Sequence, residues 1–447
     1  MKFDIPAPVI FILSELNRNG YEAYIVGGCV RDMLLDRTPH DYDICTSATP
    51  DEIIKTFPYE KIIPTGLKHG TVTIVIDDEP YEVTTYRIDG EYSDNRRPDK
   101  VEFTTNLVED LKRRDFTINA MAYSPFTGLI DPFNGQEDLK NGIIRCVGNP
   151  YERFNEDGLR IMRALRFSAQ LAFEIEDYTK IAMNELVDNL DNVSNERINS
   201  ELYKIMNTYN SYLIVLYKDI LCKIIPEFKE CIDYNQNNPY HIYTLHKHTA
   251  VALIEEFYSD PIINFSILFH DIGKPHCCTT DKDGYSHFKG HGKVSANMEE
   301  TIMKRLKFDN DTISKVKELV SYHDATFEVG KKYIKRWLSK LGEEQFRRLL
   351  RIRIADIKAQ AIEYGKERID KITNIQMLLD EVLQENECFK LKDLAINGND
   401  LMKYGIPQGK QIGEILNILL IMVIDGEIKN EKEDLLQMTN LLLQSNK

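Results

Sequence analysis

The stretch over residues 24–46, YIVGGCVRDMLLDRTPHDYDICT, constrains the fold more than any other part of this 447-residue chain. It reads as a strand, a tight Gly-Gly turn, a short helix, a loop and a second strand along which Asp41 and Asp43 alternate. Residues two apart on a strand point to one face, so the two carboxylates can share bound cations. Gly27 and Gly28 carry no Cβ, which lets the backbone approach a phosphate and lead into a helix whose free N–H groups favour anions. Arg31, one turn in, adds a fixed positive charge with several donors. A phosphate cradle beside paired carboxylates suits nucleotidyl transfer with two Mg²⁺ ions, which activate the attacking hydroxyl and neutralise the departing pyrophosphate.

The surrounding pattern places this stretch in an α/β head with a single sheet. An amphipathic helix is expected over residues 1–22, with Val9, Ile10, Leu13 and Leu16 on its apolar face and Gly20 at its end. A second helix signal at 49–57 opens with Thr-Pro-Asp-Glu, an N-cap followed by an acidic first turn. Strands are expected at 62–64, 71–76 and 82–86. Glu82 on the last of these is a candidate third metal carboxylate or an exposed strand glutamate.

GGCVRDMLLDRTPHDYDI resembles the first motif of the class II tRNA nucleotidyltransferases, the CCA-adding enzymes and their poly(A) polymerase relatives. TGLKHGTVTIVID, over 65–77, resembles the CCA-adding form, because the poly(A) polymerase branch usually carries a more basic string there. Residues 87–103, with Arg87, Asp89, Arg96 and Arg97, resemble the loop that lets the family's active site pass from adding C to adding A. LKRRDFTINAMAYS resembles the second motif, which implies that Arg114 pairs with the triphosphate and Asp115 accepts from a ribose hydroxyl. DPFNGQEDL, over 131–139, looks like the hinge between head and neck.

From residue 151 the pattern turns helical. RFNEDGLRIMRALRFSAQL spaces Asp157, Arg160, Arg163 and Arg166 three apart, a polar stripe on one expected helix. It matches the family's base-reading motif. On their Watson–Crick edges C and A each offer an amine donor beside a ring-nitrogen acceptor, whereas G and U offer the reverse. A carboxylate at Asp157 and a guanidinium at Arg160 would therefore admit CTP and ATP, leaving Arg163 and Arg166 for phosphates. ERINSELYKIM, over 196–206, resembles the helix supporting this template.

Beyond residue 235 the chemistry changes. HKHTAVALI, LFHDIGKP, GHGKVSA, SYHD and IRIADIKAQ together resemble the HD phosphohydrolase superfamily. The resemblance implies a divalent metal held by His246, His270, Asp271 and Asp356, with His291 and His323 left for a second metal or for phosphate contact. Imidazole with carboxylate suits a transition metal such as Mn²⁺ or Ni²⁺. The tail from residue 391 is helical with glycine breaks and resembles the family's tRNA-contacting segment.

Composition bounds the rest. No apolar run is long enough to span a bilayer, and the eight scattered cysteines show no C-x-x-C spacing, so a cytoplasmic chain with reduced thiols is expected. A net charge of −15 requires a local basic track for any RNA. Candidates are Arg96, Arg97, residues 112–114, Lys331, Lys332, Lys335, Arg336, Arg347 and Arg348.

The expected fold is α+β: a polymerase-β-like head with one mixed sheet over 1–148, then all-helical neck (149–235), HD (236–365) and tail (366–447) domains. The expected activity is template-free addition of C, C and A to tRNA from CTP and ATP, with Mg²⁺, by a monomer or homodimer away from membranes. The alternatives are a poly(A) or A-only polymerase, and an RNA- or nucleotide-sensing HD protein with a residual transferase head.

Overall fold

The computed structural model describes residues 3–90, 101–256, 259–385 and 388–445. The chain divides into two compact units, Met1–Lys229 with Arg305–Lys307, and Glu230–Lys304 with Phe308–Lys447.

In the first unit, helix α1 (Ala7–Arg18) buries Val9, Ile12, Leu13 and Leu16. The buried spacing of three, four and seven is that of one helix face. Ile10, expected on that face, is instead 38% exposed, and Ile12 takes its place. Strand β1 (Ala23–Val26) is wholly buried and leads through Gly27 into helix α2 (Gly28–Leu34). Strand β2 (Asp43–Thr46) follows, with Asp43 exposed at its first position and Ile44, Cys45 and Thr46 buried. Asp41 therefore precedes the strand. Helix α3 (Pro50–Thr56) carries the expected cap, a reciprocal capping box between Thr49 and Glu52.

Strands β3 (Lys61–Gly66), β4 (Thr71–Ile76) and β5 (Glu79–Thr85) complete one side of a seven-stranded sheet ordered β3-β4-β5-β2-β1, then Ala122–Ser124 and Gly128–Ile130. Strands β2 and β5 run parallel and the other neighbours are antiparallel, so the sheet is mixed. The β2–β5 register pairs Ile44 with Val83, which brings Glu82 alongside Asp43. The carboxylates thus sit at the central strands of the sheet.

A short parallel pairing of Ile143–Ile144 with Glu174–Ile175 spans the expected head–neck boundary at 148. The helices beyond it include Pro150–Glu156, Leu159–Leu171 and Asn195–Met206. Asp157 was expected within one continuous helix. It instead has extended backbone (φ −145°, ψ 106°), in a break between the first two of these helices. Gly158 beside it is pressed against the 3₁₀ turn Val187–Asn192, so a Cβ there would lie 2.5 Å from the Asn189 carbonyl oxygen.

The second unit is helical apart from a small pairing of Thr279–Thr280 with Ser286–His287. Its long helix Lys331–Lys358 bends at Gly342, where φ is +76°. Among the described residues, no helix is long and apolar enough to cross a membrane.

The steric block at Gly158 gives a direct expectation. Gly158→Ala should destabilise the first unit by about 1–3 kcal/mol, the usual cost of overpacking. Chemical denaturation would show it as a lower midpoint at unchanged slope.

Candidate active sites

A polar cleft of about 410 Å³ in the first unit brings together Gly27, Gly28, Arg31, Asp41, Asp43, Arg114, Asp115, Asp157, Arg160, Arg163 and Arg166, the metal- and nucleotide-binding candidates singled out from sequence apart from Glu82, while the loop residue Arg87 does not line it. Arg113, Asn119 and Phe167 complete the lining. Gly27 has φ +77°, and a Cβ there would come within 3.1 Å of an Arg114 guanidinium nitrogen. Any other residue would be strained and would push on that arginine.

Although Asp43 is exposed at the start of its strand, the groups packed around its carboxyl desolvate it and raise its pKa above the usual range; Arg114 opposes this, while the neighbouring charges of Asp41 and Glu82 add to it. Three carboxylates crowded so that one is hard to ionise fit a divalent cation held by Asp41 and Asp43. Glu82 contributes to that field from the adjacent strand. Among the described residues the sets of three ligating atoms within 4.8 Å of one another lie in the second unit, so Glu82 does not close a tight triad here.

The cleft arginines are each held from behind. Asp110, 1% exposed, accepts from Arg113 at 2.8 Å and Arg114 at 3.4 Å. Arg160 pairs with Glu156 at 2.5 Å and donates to the carbonyls of Arg153 and Arg113. Arg166 pairs with Glu201 at 2.5 Å and lies 4.0 Å over the Phe167 ring. Asp157 pairs with Arg197 at 2.7 Å and its Oδ1 accepts from the Leu159 amide. Asp157 and Arg160 thus use other partners, leaving them as separate groups on the cleft wall. Both Arg197 and Glu201 come from the helix Asn195–Met206, the segment expected to support the template.

Asp115 was expected to meet a ribose. Its Oδ1 accepts from the Phe116 amide and the Asn119 side chain, and its Oδ2 from Arg163 Nε and Nη2 at 2.8 and 2.6 Å. These donors occupy the four acceptor positions of a carboxylate, which makes Asp115 the anchor of Arg163. Burial works against its ionisation, but Arg163 and then Arg160 outweigh it and lower the pKa to about 2. Asn119, missed from sequence, also accepts from Arg31 at 2.9 Å.

The expected basic track is largely neutralised. Lys331 pairs with Glu385, Lys332 and Arg336 with Asp425, Arg347 with Asp380 and Glu343, and Arg348 with Asp260 and Glu344. Arg96 and Arg97 lie outside the described residues, as does the side chain of Asp89.

In the second unit a cavity of about 520 Å³ surrounds Asp271. Two ligating sets meet there, His248–His270–Asp271 and Asp271–His291–His323. His246, expected as the first ligand, belongs to neither. Its Nδ1 accepts from the Asp233 amide at 3.0 Å, and His248 stands in its expected place. On the helix Leu245–Glu255 residues two apart point to nearly opposite sides, so only one of the pair can face the cluster. Asp356 lies 3.2 Å from His248 Nε2. Lys274, 4% exposed, reaches Asp271 at 2.6 Å.

The ring orientations identify what this cluster can hold. His248, His270, His291 and His323 each set Nδ1 against a backbone carbonyl, at 3.1, 2.6, 2.8 and 2.7 Å. That leaves the Nε2 lone pairs inward, with His248 and His270 Nε2 3.2 Å apart and His291 and His323 Nε2 2.9 Å apart. Facing lone pairs repel unless a cation lies among them, and carbonyl-oriented imidazoles are the usual support of metal ligands. The donor set of imidazoles and carboxylates fits transition metals.

The head matches the poly A polymerase head domain over residues 23–145, and residues 280–439 match a tRNA nucleotidyltransferase domain 2. The chain is 37% identical over 432 residues to a CCA-adding enzyme of Oceanobacillus iheyensis, covering 94% of each protein. It is 51% identical over 205 residues to a CCA-adding enzyme of Enterococcus faecalis, covering 46% of this chain and 49% of that one. Its fold matches the crystal structure of the Bacillus stearothermophilus CCA-adding enzyme in complex with CTP, at TM-score 0.69 and 26% identity over 99% of both chains. The chain belongs to the CCA-adding enzyme family, with a mixed-sheet nucleotidyltransferase head and an all-helical C-terminal region.

Two outcomes follow from these geometries. Because the folded pKa of Asp115 is depressed, its stabilisation is present above the unfolded value near 4 and is lost as pH falls toward about 2. About 2 kcal/mol should disappear over that window. In Asp115→Asn the acid limb of a pH-melting profile should be shallower. For the metal cluster, His248→Ala should lower bound Mn²⁺ or Ni²⁺, measured by elemental analysis after gel filtration, while His246→Ala retains it.

Proposed function

We propose that this chain adds C, C and A to the 3′ end of tRNA from CTP and ATP without a nucleic-acid template, releasing pyrophosphate. The observation that carries this reading is the single cleft whose walls hold both the carboxylates Asp41 and Asp43 and the pair Asp157 and Arg160. The identity to CCA-adding enzymes over 94% of the chain supports it, and favours it over a poly(A) polymerase.

Asp41 and Asp43 hold Mg²⁺, which supplies activation of the tRNA hydroxyl and charge neutralisation at the pyrophosphate. The chain's own groups do the rest. Arg31, Arg114, Arg163 and Arg166 face the triphosphate, and the Gly27–Gly28 turn admits it closely. Asp157 accepts from the exocyclic amine of cytosine or adenine and Arg160 donates to the ring nitrogen. Their prior anchoring by Arg197 and Glu156 fixes both before a nucleotide arrives, so little reorganisation is spent on binding. Guanine and uracil would set donor against donor and acceptor against acceptor.

A second activity is favoured by the four inward-facing histidines. In this reading the HD site is a metal-dependent phosphohydrolase for nucleotide or RNA ends, in which His248, His270, Asp271 and Asp356 would hold the metal and His291 and His323 would serve a second metal or the phosphate. A bound Mn²⁺ or Ni²⁺ would supply Lewis-acid chemistry for phosphoester hydrolysis there. Lys274 holds Asp271 in place from a buried position. The reading places the chain in the cytoplasm, where its free cysteines stay reduced.

The test uses a tRNA lacking its last three nucleotides, with each ribonucleotide supplied singly and in pairs, and sequencing of the 3′ ends. Ordered CCA addition should be lost in Asp41→Ala with Asp43→Ala and kept in Asp271→Ala. Tailing with ATP alone would move the chain to the poly(A) branch. Hydrolysis of p-nitrophenyl phosphate by the Mn²⁺- or Ni²⁺-loaded chain should show the reverse dependence on the same variants, and its absence from the loaded wild type would remove the second activity.

A further inference from the structure

The cavity around Asp271 meets a smaller one of about 190 Å³, and Arg353 and Arg368 line both. The smaller space is walled by Phe327, Ile357 and Ile372, with Lys371 beside them. Arg368 and Lys371 lie three apart on the helix Lys366–Gln384, so both reach the same side. Arg368 lies past the boundary at 365 expected from sequence, yet completes the cavity.

Two guanidiniums and an ammonium share this corner with one paired carboxylate, Asp356. Arg353 Nη1 is tied to Asp356 at 2.8 Å, while its buried Nε has no hydrogen-bond partner among the described residues. The polar contact of Arg368 is to a neutral group, the Gln360 side-chain oxygen at 2.6 Å. Burial, and then the like charge of Arg353, lower the Arg368 pKa, with the Asp356 carboxylate only partly opposing them. Two guanidiniums side by side against an apolar wall form a fork for a phosphate, with the wall suited to the flat face of a base.

We propose that Arg353, Arg368 and Lys371 form an anion subsite for the phosphate one nucleotide back from the phosphate presented to the histidine cluster. The substrate class is then a phosphate-terminated RNA end, with the intervening nucleoside against Phe327 and Ile357, and a free mononucleotide leaves the subsite empty. This rests on the phosphohydrolase reading of the HD site. It assigns residues beyond the metal ligands and changes what that site selects.

Equilibrium binding to the full-length, Mn²⁺-loaded chain tests it, with slowly hydrolysed thiophosphates as probes. Adenosine 3′-thiophosphate offers one anion, the dinucleotide ApA 3′-thiophosphate offers two, and methylenediphosphonate offers two without a nucleoside. The dinucleotide should bind about tenfold tighter than the mononucleotide, the scale of one charge-assisted phosphate contact. Arg368→Gln should erase that gap at unchanged Mn²⁺ content, and Arg368→Lys should retain part of it. The exposed Lys371→Gln, which carries little folding risk, should narrow the gap about two- to threefold. Equal affinities in the wild type, or a gap that survives both glutamine variants, would overturn the subsite and leave the hydrolase reading intact. Tighter, Arg368-dependent binding of methylenediphosphonate would replace the RNA end by a small diphosphate. Binding of none of the probes by a chain holding its Mn²⁺ would overturn both.

Discussion

The buried contact between Asp115 and Arg163 is the hinge pin of the first unit. One carboxylate with four donors joins the sequence just after Arg113 and Arg114 to the middle of the helix Leu159–Leu171. Through Asn119 it also reaches Arg31 on the helix that opens at the Gly-Gly turn. Arg31, Arg163 and Arg166 then gather around one Phe167 ring, at 5.1, 5.3 and 4.0 Å. So many guanidiniums in one cleft would repel each other apart. What permits them is a carboxylate behind nearly every one: Asp110, Asp115, Glu156 and Glu201. The positive face of the cleft is thus supported by a row of carboxylates behind it, and the cleft can be strongly polar without destabilising the fold.

The same arrangement explains a chain of net charge −15 whose candidate substrates are polyanions. Lys331, Lys332, Arg336 and Arg347 on the helix Lys331–Lys358 are already matched by carboxylates, so the overall charge says little about where an anion goes. Local imbalance does. The two clefts differ in kind: one is an arginine cup around acids, the other a histidine cage around Asp271 with Asp356 beside it. The guanidiniums of the first suit an anion, and the imidazole and carboxylate donors of the second suit a cation.

Much of this was legible in the residues alone. The Gly27–Gly28 turn and the helix cap at Thr49 are local signals, and local signals survive into the fold, whereas the strand expected to carry both acids starts only at Asp43. The strands at 71–76 and the order of the motifs therefore stand as read. The readings that shifted depend on tertiary neighbours. Periodicity carried Asp157 into a helix because nothing in its own sequence reports that the Asn189 carbonyl presses on Gly158. His246 and His248 are chemically equal in HKHTAVALI, and only the packing of their helix decides which one turns inward. Ile10 and Ile12 pose the same problem on a smaller scale. Asn119 and Phe167 left no chemical signature, since an amide and a ring become functional only through what they are packed against.

The break at Asp157 and Gly158 has a consequence for how recognition can change. Because Asp157 stands outside the helix that carries Arg160, the spacing between these two groups is set by no single element. It depends on Arg197, reaching in from a different helix, and on how firmly Gly158 is seated. A lineage, or an engineer, could therefore retune which base edge is preferred by altering the rear support alone. In the proposed reading the residues that meet the nucleotide would stay the same, and the change would be invisible to anyone comparing only the walls of the cleft.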